Sequence, residues 1–190
     1  MDRIRKILES NPDAKLGFVV YRCTYADDEQ WNCFMEYLNA QAQSALKEYN
    51  LGDLSSRLDW NVQQDPTLND ASLEQVRDKF RRWTKEGGEV NHATARFHAC
   101  VMVDQICLQE NLAVIKKLRE EEKPLDEFDM FGLSWVYLVS QYDESSEKQD
   151  DQEASYAMVG ISYLVPRVYE LLEGPGWHNF ADPDGGVVTP

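Results

Sequence analysis

The clearest pattern in the chain is a repeat of apolar residues at three- and four-residue steps between residues 27 and 49. Three acidic residues lie near the start of this stretch, where negative charge complements the helix dipole. The spacing therefore predicts one long amphipathic helix. A shorter helix is predicted over residues 3–10. Another helix should begin after Ser72, which matches a capping box with Gln75.

Other stretches have the patterns of β-strands. Residues 16–25 are rich in β-branched and aromatic residues on both faces, which is typical of a central strand. Shorter alternating runs predict strands over residues 58–63, 96–104 and 133–142. Residues 105–119 fit either a helix or a strand, and residues 156–173 end in a predicted helix.

This order of elements predicts an α+β fold, in which a mainly antiparallel sheet and its helices form a two-layer sandwich. A ferredoxin-like or dimeric α+β-barrel arrangement matches it best. The length of 190 residues fits a single domain over residues 1–190. Residues 143–153 hold six acids and one lysine, which predicts a mobile acidic loop. Residues 178–190, with two Pro and two Gly, predict an extended tail.

The net charge of the chain limits the classes of molecule that it is expected to bind. The 34 acidic and 19 basic residues give a formal net charge of −15, which opposes binding to nucleic acid or to an anionic membrane. Basic residues concentrate only at 77–82, where interleaved acids favour a solvated helix face. The N-terminus lacks the apolar run of a signal peptide. We therefore expect a cytoplasmic protein with neither nucleic acid nor membrane as partner.

Five segments form a recognisable set: GFVVYRCTYADDEQWNCFM (17–35), LDWNVQQDP (58–66), VRDKFRRW (76–83), RFHACVMVD (96–104) and YLVPRVYELL (163–172), the last followed by Gly176-Trp177. They resemble a large family of uncharacterised fungal proteins, and the likeness covers most of the chain. The resemblance implies a fungal source. It implies no activity, cofactor or catalytic residue, because none is known for that family. The acidic loop departs from the family's pattern, which suggests that the fold does not require it.

The motif search gives no catalytic signature. The sequence contains no GxSxG, HExxH, GxxxxGK[ST] or GxGxxG. Its four cysteines lack the CxxC spacing of a zinc site, so buried reduced thiols are expected, with no metal site and no cofactor. The motifs leave open whether the protein is an enzyme.

One grouping on the strands suggests chemistry. Alternation places His98 and Asp104 on one face of their strand, and Arg22 on one face of another. If these faces coincide, the three side chains could bind an anion and transfer a proton. The alternative is a buried Arg–Asp pair that holds the strands in register. Tyr21 and Trp135 are among the aromatic residues that could line a ligand pocket.

Two functions follow from this reading. The first is a protein-interaction or self-associating module without catalytic activity, which pairs through its sheet as a homodimer or binds another protein. The second is a small cofactor-independent enzyme or small-molecule-binding protein with a cavity on the sheet face. Both require that helices cover only one face of the sheet.

Overall fold

The computed structural model describes residues 2–142, 156–174, 176–181 and 185–190. The helices are α1 (Asp2–Ser10), α2 (Asp28–Glu48), α3 (Leu73–Glu86), α4 (Gln105–Glu120), α5 (Ile161–Tyr163) and α6 (Tyr169–Glu173). The strands are β1 (Val19–Arg22), β2 (Asn61–Gln63), β3 (Ala99–Val103), β4 (Trp135–Ser140), β5 (Tyr156–Gly160) and β6 (Val187–Val188). The predicted α+β class is confirmed. The acidic loop predicted at 143–153 lies outside the described residues.

The six strands form one mixed sheet in the order β2-β1-β3-β4-β5-β6. β1 runs parallel to both β2 and β3, and β6 runs parallel to β5. Only the pairings of β4 are antiparallel. This corrects the expected mainly antiparallel, ferredoxin-like or barrel-like sheet. The physical reason is that α2 and α3 carry the chain back along the sheet between successive strands, which makes those strands parallel.

Helices lie on both sides of the sheet. Crossovers between parallel strands are right-handed, and the connections through α2 and α3 run in opposite directions along the sheet, so the two helices cover opposite faces. The first face packs on α2 and α4 and carries Phe18, Val20, Val101, Leu138 and Val159. The second face packs on α3 and carries Val19, Tyr21, Cys100, Met102 and Val139. The confirmed sandwich of sheet and helices thus has a third layer where α3 lies.

The third layer covers only part of the second face. The first-face side chains of β4 and β5 (Val136, Leu138, Ala157 and Val159) are at most 5% exposed. On the second face of the same two strands, Tyr156 is 37% exposed, and Tyr137 and Met158 are half-buried. The second face of β4 and β5 is therefore partly accessible at Tyr137, Tyr156 and Met158, whereas Trp135 and Val139 of the same face are buried.

Three local expectations are resolved by hydrogen bonding. The ambiguous segment after β3 is helix α4, because the Asp104 carboxylate accepts a hydrogen bond from the backbone N–H of Cys107 and caps the first turn. The capping box of Ser72 and Gln75 is present at the start of α3. The predicted extended tail contributes a strand, since β6 pairs with β5 at the sheet edge.

Candidate functional site

Arg22 lies at the C-terminal end of β1 and is buried. Its Nη2 donates to Oδ1 of Asp28 at 2.6 Å, and its Nε donates to the carbonyl of Thr24 at 2.7 Å. The guanidinium also lies over the rings of Tyr25 and Trp31, 4.6 and 5.1 Å from their centroids. These contacts neutralise the charge of Arg22 and attach the start of α2 to the sheet. The guanidinium therefore binds groups of the chain itself and not an anionic ligand.

His98 and Asp104 do not join Arg22. His98 precedes β3 in a short 3₁₀ turn, whereas Arg22 is paired with Val103 at the far end of that strand, five residues or about 16 Å away. Asp104 follows Val103 and therefore lies on the second face, opposite the side of Arg22. The proposed anion-binding trio is not assembled. The alternative Arg–Asp pair is not formed either, because Arg22 pairs with Asp28.

Tyr21 and Trp135 both lie on the second face, in different surroundings. Tyr21 is buried beneath α3, and this burial raises the pKa of its hydroxyl. Trp135 contacts Tyr137 edge to face, with ring centroids 4.9 Å apart, and Tyr137 contacts Tyr156 at 6.1 Å. We call Trp135, Tyr137 and Tyr156 the aromatic strip. Within the strip Tyr156 is exposed and Tyr137 half-buried, whereas Trp135 is only 8% exposed, so both predicted lining residues, Tyr21 and Trp135, are buried.

The four cysteines are free thiols, and the expectation of buried thiols is confirmed for Cys23, Cys100 and Cys107 but is wrong for Cys33, which is half-buried. Burial raises the pKa of Cys23 to about 12 and raises the pKa values of Cys100 and Cys107. Thiols in this state are poor nucleophiles at neutral pH. Within the described ranges, no group of three or more His, Cys, Asp or Glu side chains could hold a metal ion. No helix of the described chain is long and apolar enough to cross a membrane.

The basic residues of α3 bind the chain's own backbone and acids. Nε of Arg77 donates to the carbonyl of Ser140 at 3.2 Å, and Nε of Arg81 donates to that of Gln141 at 2.6 Å. Lys79 forms an ion pair with an aspartate before the helix. These side chains attach α3 to the end of β4, which gives them a structural role.

A different feature has the character of a binding surface. The loop between α4 and β4 exposes Met130, Phe131 and Leu133 by 63%, 79% and 57%. We call these three side chains the apolar knob. Among the described residues, no other stretch as short exposes three large apolar side chains to this extent. Sequence reasoning missed it, because the pattern predicts a strand over residues 133–142 and assigns no element to the residues just before it.

The base of this loop is closed by Asp129. Its carboxylate accepts hydrogen bonds from the backbone N–H of Ser134 at 2.7 Å, from the hydroxyl of Ser134 at 2.9 Å and from the backbone N–H of Phe131 at 3.2 Å. The hydroxyl of Tyr37 in α2 donates to Oγ of Ser134 at 2.9 Å. Burial raises the pKa of Tyr37 to about 12, so this hydroxyl stays a donor at neutral pH.

Gln41 of α2 binds the backbone of the loop between α4 and β4. Its buried amide donates to the carbonyls of Leu125 and Glu127 at 2.7 and 2.8 Å. Its Oε1 accepts from the hydroxyl of Ser162 at 2.6 Å, and that hydroxyl accepts from the backbone N–H of Asp129 at 2.9 Å. Together with Tyr37 and Ser134, these groups form what we call the loop network. Its buried side chains are satisfied within the fold, so the loop has a defined shape.

The C-terminal strand packs against the other side of the loop. Gly132 has a φ of +64°, and a Cβ there would lie 2.8 Å from Cγ2 of Thr189 and 2.9 Å from Cγ1 of Val187. Only glycine suits both this backbone and this approach. The hydroxyl of Tyr163 donates to the carbonyl of Met130 at 3.2 Å. The knob is therefore presented by a loop held on both sides.

A cavity of about 410 Å³ lies beside the knob. Its apolar lining includes Tyr37, Val114, Leu118 and Phe128, together with the knob itself. Its charged lining consists of Lys117, Glu121, Lys123, Glu127 and Asp129. Nζ of Lys123 lies 3.0 Å from Glu127 and 3.3 Å from Glu121, so positive and negative charges are mixed at this rim.

Comparisons with known proteins add nothing to this geometry: no family model, no curated protein and no solved structure matches the chain.

Proposed function

We propose that the protein is an interaction module without catalytic activity, which self-associates by docking the apolar knob of one copy into the cavity of a second. The observation that supports this most directly is that the three knob side chains are exposed although hydrogen bonds hold the loop that carries them. Clustered apolar side chains on the surface of a folded protein mark interaction sites. A loop already held in shape by the loop network loses little conformational entropy when it binds.

The magnitudes fit a dimer of modest affinity. Burying one large apolar side chain contributes roughly 1.5–3 kcal/mol. The six knob side chains of a symmetric pair would therefore contribute roughly 9–18 kcal/mol, against an association cost of roughly 4–15 kcal/mol. The two ranges overlap, and the knob side chains are 57–79% rather than fully exposed, so the gain lies below the upper end of its range. We therefore expect monomer and dimer to exchange, rather than an obligate dimer.

A second copy suits this surface because knob and cavity lie side by side on it. A two-fold axis between them lets Phe131 of each copy enter the cavity of the other, and such an isologous contact closes on itself. Two chains of net charge −15 repel one another. Contact is least opposed where the local charges balance, as they nearly do at the cavity rim.

Sedimentation at increasing protein concentration, in low and in high salt, tests the proposal. The wild type should approach the mass of two chains, and sooner in high salt, because salt screens the repulsion of the acidic chains. The variant Phe131→Asp should stay monomeric. Val90→Asp is the matched control, since Val90 is 73% exposed outside the knob and the added charge is the same. A wild type that is monomeric across the micromolar range, or a dimer that Phe131→Asp leaves intact, contradicts the proposal.

No observation favours the small cofactor-independent enzyme. Its candidate anion-binding group, Arg22, and its candidate proton-transfer group, His98, lie at opposite ends of adjacent strands.

A further inference from the structure

The partly accessible region of the second face is an aromatic surface with an acid at its margin. Met102 pairs with Tyr137 across β3 and β4, and Tyr137 pairs with Met158 across β4 and β5. Asp104 lies two residues beyond Met102, just past the end of β3, so it is on the same face as Met102 at the margin of this surface. Met102 and Trp135 are buried, and the groups of this region that are at least partly exposed are Tyr137, Tyr156, Met158 and Asp104.

The electrostatics of this surface are negative. Burial raises the pKa of Tyr137, and the nearby carboxylates of Asp104 and Glu110 raise it further. Asp104 also raises the pKa of Cys23, as expected for a carboxylate on the same face. One oxygen of Asp104 caps α4. The whole chain adds a net charge of −15, which attracts cations and repels anions.

The same chemistry already holds a cation elsewhere in the chain. The guanidinium of Arg22 lies over two aromatic rings and binds the carboxylate of Asp28. The aromatic strip offers similar components, with Tyr137 and Tyr156 as the accessible rings and Trp135 packed behind Tyr137. Among the described residues, no cationic side chain lies over these rings.

We propose that the aromatic strip, with Asp104 at its edge, binds a small organic cation of the quaternary ammonium type. The negative face of an aromatic ring attracts such a cation, and its weak hydration lets it leave water more readily than a metal ion. The carboxylate of Asp104 adds attraction and excludes anions. This site is separate from the apolar knob, which lies on the loop before β4, and it does not depend on self-association.

Titration with choline, followed by NMR of ¹³C-labelled methionine methyl groups, tests the site. The methyl groups of Met102 and Met158 should shift saturably, because they lie in the register row of Tyr137. The methyl of Met130, in the knob, is an internal control and should not shift. The neutral isostere 3,3-dimethylbutan-1-ol should give no saturable shift. Salt should weaken choline binding, whereas it strengthens the proposed dimer.

Variants of the strip decide whether the tyrosines bind the cation. Tyr156→Leu, at an exposed position, should weaken choline binding about two- to fivefold, the effect of losing one exposed cation–π contact. The double variant Tyr137→Leu/Tyr156→Leu should abolish the saturable shifts. Tyr49→Leu, at the end of α2, is the matched control and should bind like the wild type. Equal binding of choline and its isostere, unchanged binding in the double variant, or no shift in the wild type would each overturn the proposal.

Discussion

Two buried polar networks stabilise this protein, and the surfaces around them differ in how many apolar side chains they expose. One is centred on Arg96 and the other, the loop network, on Gln41. Around Arg96 the charges are paired, and of the large apolar side chains that the described chain exposes only Val90, which follows Glu89, lies in this region. Around Gln41 the hydrogen bonds order a loop, and the loop then exposes the apolar knob.

The Arg96 network joins distant parts of the chain. Arg96 is 1% exposed, and its Nε and Nη2 each lie 2.8 Å from a carboxylate oxygen of Glu89. Its Nη2 binds Asp59 at 2.6 Å, and its Nη1 donates to the carbonyls of Gly17 and Asp59 at 3.2 and 2.8 Å. Lys15 adds a positive charge 3.4 Å from Asp59. The guanidinium has no donor left for a ligand, which indicates a structural role.

The comparison shows which buried polar groups indicate function. The Arg96 network uses all the donors of its guanidinium within the fold, so its contribution to stability is a sufficient explanation for it. The loop network orders a surface loop that exposes three apolar side chains. Stability alone does not explain that loop, because a polar loop at the same position would be more soluble. The proposed self-association therefore rests on the knob and not on Arg96.

The largest effect is expected from Arg96→Met. Removing the guanidinium leaves the carboxylates of Glu89 and Asp59 without their main partner, which should lower the free energy of unfolding by about 3–5 kcal/mol. Urea denaturation measures this loss. Arg82→Met, on the exposed side of α3, should change stability by less than about 0.5 kcal/mol. If both variants were equally stable, the Arg96 network would not hold the fold.

A smaller loss, with a second consequence, is expected from Gln41→Leu. The carbonyls of Leu125 and Glu127 lose their donor, which should cost about 1–3 kcal/mol in urea denaturation. The less ordered loop should also weaken dimerisation in sedimentation. Gln43→Leu, at an exposed position of the same helix, should affect neither property. A Gln41→Leu protein that dimerises like the wild type would remove the link between loop order and docking.

The smallest effect is expected on the stability of the protein at low pH. Burial raises the pKa of Glu89, but hydrogen bonds from Arg96 and Asn61 and the charge of Lys15 outweigh it, so the pKa is lowered overall. A lowered pKa contributes stability above the ordinary pKa of the unfolded chain, and this contribution is lost as the pH falls through the folded value. The stability difference between wild type and Glu89→Gln should therefore shrink from neutral pH to about pH 3. A pH-independent difference in urea denaturation would contradict it.

The elements that the sequence predicts correctly are those determined by residues close to one another along the chain. The long helix α2 follows from its apolar stripe, and α3 from its capping box, because both signals act within a few residues. The faces of β1 also follow from alternation. Pairing does not, since it depends on strands far apart in sequence. β6 was missed because two residues are too short for a pattern, and β5 because it leads directly into the helical segment predicted at the end of residues 156–173.

By itself, the sequence determined the α+β class, the main helices, the burial of three of the four thiols and the acidic charge of this protein. Only the tertiary structure decided that Arg22 is separated from His98, that α3 buries Tyr21 fully but Tyr137 only in part, and that the knob is held in a defined loop. The reason is physical. Periodicity and capping act over a few residues, whereas exposure depends on contacts such as that between Gln41 and Glu127, which lie 86 positions apart.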